Sequence, residues 1–191
     1  MSRCAYMVRD ATPEDAGALI TLWAGSERGP DPGPSGRREA VAALARIAAD
    51  PDERLLVGVL DGSIVAAVHM KRCFLAPLST RSAVHTTHLF VDPEHRRHGF
   101  ARALVEAAVA WAEEKDVEHV TAVVESSSRE CNRFFARLGL GTFATLRIAP
   151  TAALRLNLNR LDPRVRTPAA RHLGQVVAHR RSLRRRQSAD A

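Results

Sequence analysis

The chain has 191 residues, enough for one domain with a short appendage, and 46% of them are hydrophobic, enough for a real core. No run reaches the roughly 18 uninterrupted apolar residues of a membrane span, and Met1-Ser2-Arg3-Cys4 lacks the apolar stretch of a signal peptide, so a cytoplasmic, non-transmembrane protein is expected. The whole net charge of +7 lies in 163–191, where eight arginines (Arg164, Arg166, Arg171, Arg180, Arg181, Arg184, Arg185 and Arg186) stand against one acid, Asp190, so residues 1–162 are balanced and are not a basic domain.

Cys4 to Arg9 reads as a short strand. Thr12-Pro13-Glu14-Asp15 then opens a helix, with a Thr N-cap, Pro at the first position and an acid at the third; the helix runs to about Gly25. The Gly- and Pro-rich stretch Gly29 to Gly36 is a loop, and a second helix runs from Arg37 to about Ala49, stopped by Pro51. Leu55–Leu60 and Ile64–Cys73 read as strands around the turn Asp61-Gly62-Ser63, and Ala83–Val91 is a third, ended by Asp92-Pro93. About Gly99–Lys115 is a helix, with Ala101, Leu104, Val105, Ala108 and Ala112 on one stripe. His119–Val124 follows as a strand, Arg129–Leu138 as a helix stopped by Gly139, and Thr142–Ile148 and Ala153–Leu158 as the final strands. The order predicts an α/β layer fold, an α+β arrangement built on a mixed, partly antiparallel sheet, with no internal repeat.

The chemistry concentrates in Leu89-Phe90-Val91-Asp92-Pro93-Glu94-His95-Arg96-Arg97-His98-Gly99-Phe100-Ala101. A strand ends, a basic turn follows, and a long helix begins at a glycine. The first amides of a helix have no intrahelical acceptor and sit at the positive end of its dipole, which makes an anion site suited to phosphate. Gly99 and the small Ala101 admit a ligand to the backbone, and Arg96, Arg97 and His98 add positive charge. By itself such a turn is equally a plain strand–loop–helix connection with a solvated basic face.

The longer segment resembles the GNAT superfamily of N-acetyltransferases. Arg96-Arg97-His98-Gly99-Phe100-Ala101 matches the family signature R/Q-x-x-G-x-G/A, and Leu89-x-Val91-x-Pro93 matches its lead-in. Phe134-Phe135-Ala136-Arg137-Leu138-Gly139-Leu140 is similar to a later (F/L)-Y-x-x-x-G-F segment, and the element order fits from about Tyr6 to Leu158. The resemblance implies a mostly antiparallel sheet with two splayed parallel strands and helices on both faces. It also implies acetyl-CoA, or another acyl-CoA, as cosubstrate, an amine acceptor (small molecule or peptide), and no metal. The implied cofactor site takes in Leu89, Phe90, Val91, Arg96, Arg97, His98, Gly99, Phe100, Ala101, Ser128, Cys131 and Phe135. The pyrophosphate is expected on the backbone of Arg97 to Ala101, and the pantetheine arm along the edge of the Leu89–Val91 strand.

Two positions depart from the family. Phe135 stands where a tyrosine usually protonates the leaving thiolate, the one tyrosine being Tyr6, and Ser128 stands at a usual asparagine. A thiol pKa of roughly 8.5 makes the thiolate a tolerable leaving group near neutrality, and proximity of amine and thioester supplies much of the acceleration. Water, Ser126, Ser127, Ser128 and Cys131 are the candidate substitutes.

An attacking amine must shed a proton to a base. Candidates are His88 and His85, on the strand before the basic turn, and Glu125, at the end of the Val120–Val124 strand. In an unbroken strand His85 and His88, three apart, face opposite sides, so at most one points at the substrate gap. Each also has an ordinary reading, as a packed histidine or as an acid beside a helix N-terminus. His69 and Cys73, four apart on a strand, read as pocket wall or sheet surface.

Cys4, Cys73 and Cys131 are odd in number and far apart, which argues against a disulfide framework and structural zinc. The sequence thus divides into an acyl-CoA-binding domain, 1–162, and an arginine-rich extension, 163–191, in which Thr167-Pro168 opens a basic amphipathic helix with Leu173, Val176, Val177 and Leu183 on its apolar side. That helix is expected to meet its own core, a partner, anionic lipid or nucleic acid; a homodimer stays open. The rival readings are a non-catalytic acyl-CoA sensor, motivated by Phe135, and a nucleic-acid-associated protein acting through its tail.

Overall fold

The computed structural model describes residues 6–24 and 30–161, so the extension 163–191 and its expected basic helix lie outside the described residues. In chain order come β1 (Tyr6–Asp10), a 3-10 turn (Pro13–Asp15), α1 (Ala16–Trp23), α2 (Pro34–Ala49), β2 (Glu53–Leu60), β3 (Ser63–Phe74), β4 (Ser82–Val91), a second 3-10 turn (Pro93–His95), α3 (Phe100–Glu114), β5 (His119–Ala122), α4 (Arg129–Arg137) and α5 (Thr151–Leu161). The strands form one sheet in the order β1-β2-β3-β4-β5, antiparallel at every step but the last, where β4 and β5 run parallel. α1 and α2 cover one face and α3 the other. This is the expected mixed sheet with helices on both sides.

The first helix starts as its sequence dictates. The Thr12 amide donates to Asp15 Oδ2 at 2.8 Å, and Arg9 of β1 donates to the same carboxylate at 2.6 and 2.9 Å. The Arg9 guanidinium holds the Asp15 carboxyl below its ordinary range, against an opposing effect of burial.

α3 buries Phe100, Leu104, Ala108, Trp111 and Ala112, a stripe at helical spacing, against Leu56, Val68, Met70 and Val84 of the sheet. Phe100 is 1% exposed, and its ring stands edge-on to Tyr6 with centroids 5.4 Å apart. It also explains the glycine inside β2: a Cβ on Gly58 would lie 2.8 Å from Phe100 Cδ1 and 3.1 Å from Ala66 Cβ. Phe100→Ala is expected to cost about 3–5 kcal/mol, measured by urea unfolding, because the space between sheet and helix cannot collapse onto the void. On the other face Leu19, Leu22, Leu44 and Ile47 pack on Leu55, Val57 and Ala67.

The chain divides into two compact units after Gly141. The two final strands expected in the second unit do not form. Residues 142–148 carry no regular element, and the expected strand Ala153–Leu158 lies inside the helix α5. Leu154, Leu156 and Leu158 alternate in the sequence as strand residues do, but Ala152, Ala153, Arg155 and the leucines are strong helix formers, and among the described residues no strand pairs with this segment to override that preference.

Candidate functional site

The site is built where β4 parts from β5. Their pairing runs from Ala83 opposite His119 to Thr86 opposite Ala122, and closes with the Val123 amide donating to the Thr86 carbonyl at 2.9 Å. β4 then continues to Val91 with only β3 beside it among the described residues. The segment that carries Leu89, Phe90 and Val91 therefore keeps one edge of backbone groups unpaired by strand. β5 ends at Ala122, two residues earlier than expected, so Glu125 sits in the connection to α4 and not at a strand end. It is exposed; its carbonyl accepts from the Ser128 amide at 3.0 Å and from Asn132 Nδ2 at 3.2 Å.

β4 is also broken by a bulge. Ala67 pairs with Phe90 but His69 pairs with Thr87, so β4 spends one more residue than β3, and His88 takes up the slack at φ +53°. Histidine is among the residues that tolerate this left-handed conformation. The bulge corrects the expectation that His85 and His88 face opposite sides. Val84 belongs to the α3 face, so alternation turns His85 to the α1/α2 face, and the His88 ring stands edge-on to Trp23 of α1, 6.3 Å between centroids, on that same face. Their surroundings differ. His85 Nδ1 is 2.8 Å from Thr121 Oγ1, and its Nε2 is shut off from solvent with no hydrogen-bond partner among the described residues. His88 is exposed, with Nδ1 3.1 Å from Thr87 Oγ1.

Past β4, Asp92 caps the 3-10 turn by accepting from the Glu94 amide at 2.9 Å. Arg97, at φ +65°, and Gly99, at φ +90°, then turn the chain into α3. His98 Nδ1 donates to the Arg96 carbonyl at 2.9 Å, fixing the turn from within. Gly99 is the N-cap of α3 and no side chain caps the helix, so its first amides are left for another acceptor. Arg97, His98 and Gly99 are exposed, Phe100 is buried in the core, and Ala101 is partly covered. Phe100 thus serves this turn by anchoring it, with its side chain directed away from any ligand.

α4 closes the region. Ser128 is its N-cap, accepting from the Cys131 amide at 3.4 Å, and Asn132 Nδ2 donates to the Ser128 carbonyl at 2.7 Å. Cys131 is partly covered, and Phe135 is buried with its ring 5.1 Å from that of Phe134. Arg96 reaches Glu130 at 3.2 Å and so ties the basic turn to α4. Arg97, Glu130, Arg133 and Arg137 line an open cavity of about 590 Å³. Arg133 and Arg137 went unremarked in the sequence, although their spacing of four on a helix sets both on one face. Also unforeseen is a buried carboxylate beside the histidines: Glu53 of β2, 4% exposed, holds His69 at 2.7 Å, Lys71 at 3.0 Å and Arg46 at 2.9 Å. Burial opposes its charge, but hydrogen bonds from Arg46, Lys71 and His69 outweigh that and hold its carboxyl down, to about 2.

Among the described residues no group of three His, Cys, Asp or Glu side chains is placed to hold a metal, and no helix is long and apolar enough to cross a membrane. The profile of the acetyltransferase (GNAT) family matches residues 19–140. No curated protein matches the chain. Among solved structures, a transcriptional regulator from Bacillus halodurans superposes with a TM-score of 0.67 at 18% identity, covering 76% of this chain and 100% of its own. Glucosamine-6-phosphate N-acetyltransferase from Arabidopsis thaliana gives 0.66 at 14% identity over 77% and 99%. The aminoglycoside N-acetyltransferase AAC(6')-Iy in complex with CoA gives 0.61 at 14% identity over 77% and 95%.

Proposed function

The chain belongs to the GNAT family of acetyltransferases, and on that premise we propose that it transfers an acetyl group from acetyl-CoA to an amine by direct attack on the thioester. The observation that carries the reading is the pair of backbone features that flank the basic turn: the β4 edge at Leu89–Val91 that no described strand pairs, and the N-terminus of α3 at Gly99 that no side chain caps. In this reading the amides after Gly99 and the side chain of Arg97 hold the pyrophosphate, with Arg133 and Arg137 across the cavity for the remaining phosphate charge. The β4 edge pairs with the pantetheine amides as another strand would.

Leu89, Phe90 and Val91 then supply backbone, since Leu89 and Val91 pack toward the α3 core and Phe90 toward the α1/α2 core. His88 is the base for the ammonium proton, because it is the exposed member of the histidine pair. Glu125, exposed on the connection that leaves the sheet, is the second candidate, acting directly or through water. His85 is a poor base for an outside amine, with its Nε2 enclosed. The attacking nitrogen bonds to the carbonyl carbon, the C–S bond breaks, and the amine proton goes to the base. The sulfur leaves as thiolate, for which a pKa of roughly 8.5 suffices without a tyrosine.

Phe135, buried and unable to donate a proton, favours a second reading, an acyl-CoA-binding sensor without turnover. Calorimetric titration of the full chain with CoA and acetyl-CoA, followed by a thiol-release screen over small-molecule and peptide amines, tests both. Micromolar binding with thiol release supports the transferase, and binding without release from any amine supports the sensor. Absence of binding removes both and leaves the arginine-rich extension, outside the described residues, as the remaining lead to a partner, nucleic acid or anionic lipid.

A further inference from the structure

α4 sets two arginines on the wall of an open cavity and gives them no carboxylate. Arg133 and Arg137 line a space of about 590 Å³ together with Arg97 of the basic turn and Glu130. Glu130 stands three residues before Arg133, a spacing that pairs side chains along a helix, but it is engaged by Arg96 at 3.2 Å. Among the described residues no carboxylate pairs with Arg97, Arg133 or Arg137. Arg96, Arg97, Arg133 and Arg137 against Glu130 therefore leave three positive charges in excess around the cavity.

Like charges four apart on a helix repel each other. Arg137 lies in the last turn of α4, where the negative end of the helix dipole favours a cation. Arg133 lies in mid-helix without that compensation, and both residues are exposed. An anion entering the cavity would satisfy the two together.

We propose, on the acetyl-CoA reading above, that Arg133 and Arg137 are specificity-determining residues that read the 3′-phosphate of the cosubstrate. The chain then accepts CoA thioesters and discriminates against donors that lack this group, 3′-dephospho-CoA and simple pantetheine thioesters. The charges divide the labour. A pyrophosphate linkage bears one charge per phosphorus, which suits the neutral amides at the N-terminus of α3 with Arg97 beside them. The 3′-phosphate is a monoester, with about −1.5 to −2 of charge on a single phosphorus near neutrality. Such a group is best met by guanidiniums, whose planar forks of N–H donors match phosphate oxygens. The cavity is open to water, so the arginine pair acts on the phosphate it touches and only weakly on charges beyond the screening distance of about 10 Å.

The test is calorimetric titration of the full chain with CoA and with 3′-dephospho-CoA. Wild type should bind CoA at least about tenfold more tightly, the scale of a pair of charge-assisted hydrogen bonds. In the double variant Arg133→Gln/Arg137→Gln, CoA should bind nearly as weakly as 3′-dephospho-CoA, whose own affinity should change by less than about threefold. Glutamine keeps the helix propensity at both exposed positions. The ratio of the two affinities is the readout, because a damaged fold would lower both together. Arg97→Gln, at the pyrophosphate that both ligands carry, should weaken both alike. Arg129→Gln, at an exposed arginine of α4 that does not line the cavity, should change neither. Equal wild-type affinities overturn the proposal, as does a preference for CoA that survives in the double variant or is lost equally in Arg129→Gln. A wild type that binds neither ligand removes the acetyl-CoA reading and this proposal with it, whereas one that binds both alike removes only the 3′-phosphate assignment.

Discussion

Gly99→Glu is expected to weaken CoA binding by at least about 100-fold while leaving the fold nearly as stable as in Gly99→Ala. Two effects act at this position and they separate cleanly. Gly99 sits at φ +90°, so any side chain brings left-handed strain of roughly 1 kcal/mol, which both variants share. No heavy atom lies within 4 Å of a Cβ built there, so the Cβ that both variants add meets no clash. The carboxylate of Glu adds a favourable interaction with the N-terminal end of α3, worth about 0.3–1 kcal/mol to the folded state. Toward a bound anion the same charge is repulsive, by about 3 kcal/mol per unit charge at roughly 5 Å in a partly screened site. Calorimetry with CoA beside thermal melts of wild type, Gly99→Ala and Gly99→Glu resolves the two. Equal affinity in the two variants would mean that no phosphate rests on this turn.

The part of this site that was legible in the sequence is the part written in local residues. A turn of Arg96-Arg97-His98-Gly99 ahead of a striped helix was readable locally, and of the expected stripe Leu104, Ala108 and Ala112 are buried, while Ala101 and Val105 are partly covered and Phe100 and Trp111 complete the buried face. The bulge at His88 was not legible. Ala83 to Val91 reads as continuous strand, and the extra residue emerges only from how β4 registers on β3. With it went the facing of His85 and His88, since one inserted residue exchanges the faces of everything beyond it. Glu53 and Thr87 carried no signal for the same reason: they meet His69 through pairing between strands. At the far end, Leu154, Leu156 and Leu158 show the converse error. Alternation alone was given more weight than helix propensity, where no sheet neighbour among the described residues rewards alternation.

Glu53→Gln should destabilise the protein by about 3 kcal/mol at neutral pH and should remove part of its acid sensitivity. The Glu53 carboxyl is held at about 2 in the folded protein, against an ordinary 4.5. A depressed folded value means that the unfolded chain takes up the proton first as pH falls. The stabilisation is therefore complete above about 4.5 and is lost progressively as pH drops toward about 2. A gap of this size is worth about 3 kcal/mol at roughly 1.4 kcal/mol per unit. Breaking a buried ion pair costs about 3–5 kcal/mol when the orphaned charge stays buried. Here the orphans are Arg46 and Lys71, 61% and 43% exposed, which can turn to water, so the lower figure applies. Other depressed carboxyls, Asp15 and Asp52, also lose stability in acid. The informative quantity is therefore the difference between wild type and variant, in which they cancel. Urea unfolding at neutral pH and again at about pH 3 should show that difference shrinking by more than half. A difference that stays constant across the two would mean that Glu53 stabilises the sheet as a packed group and not as a charge.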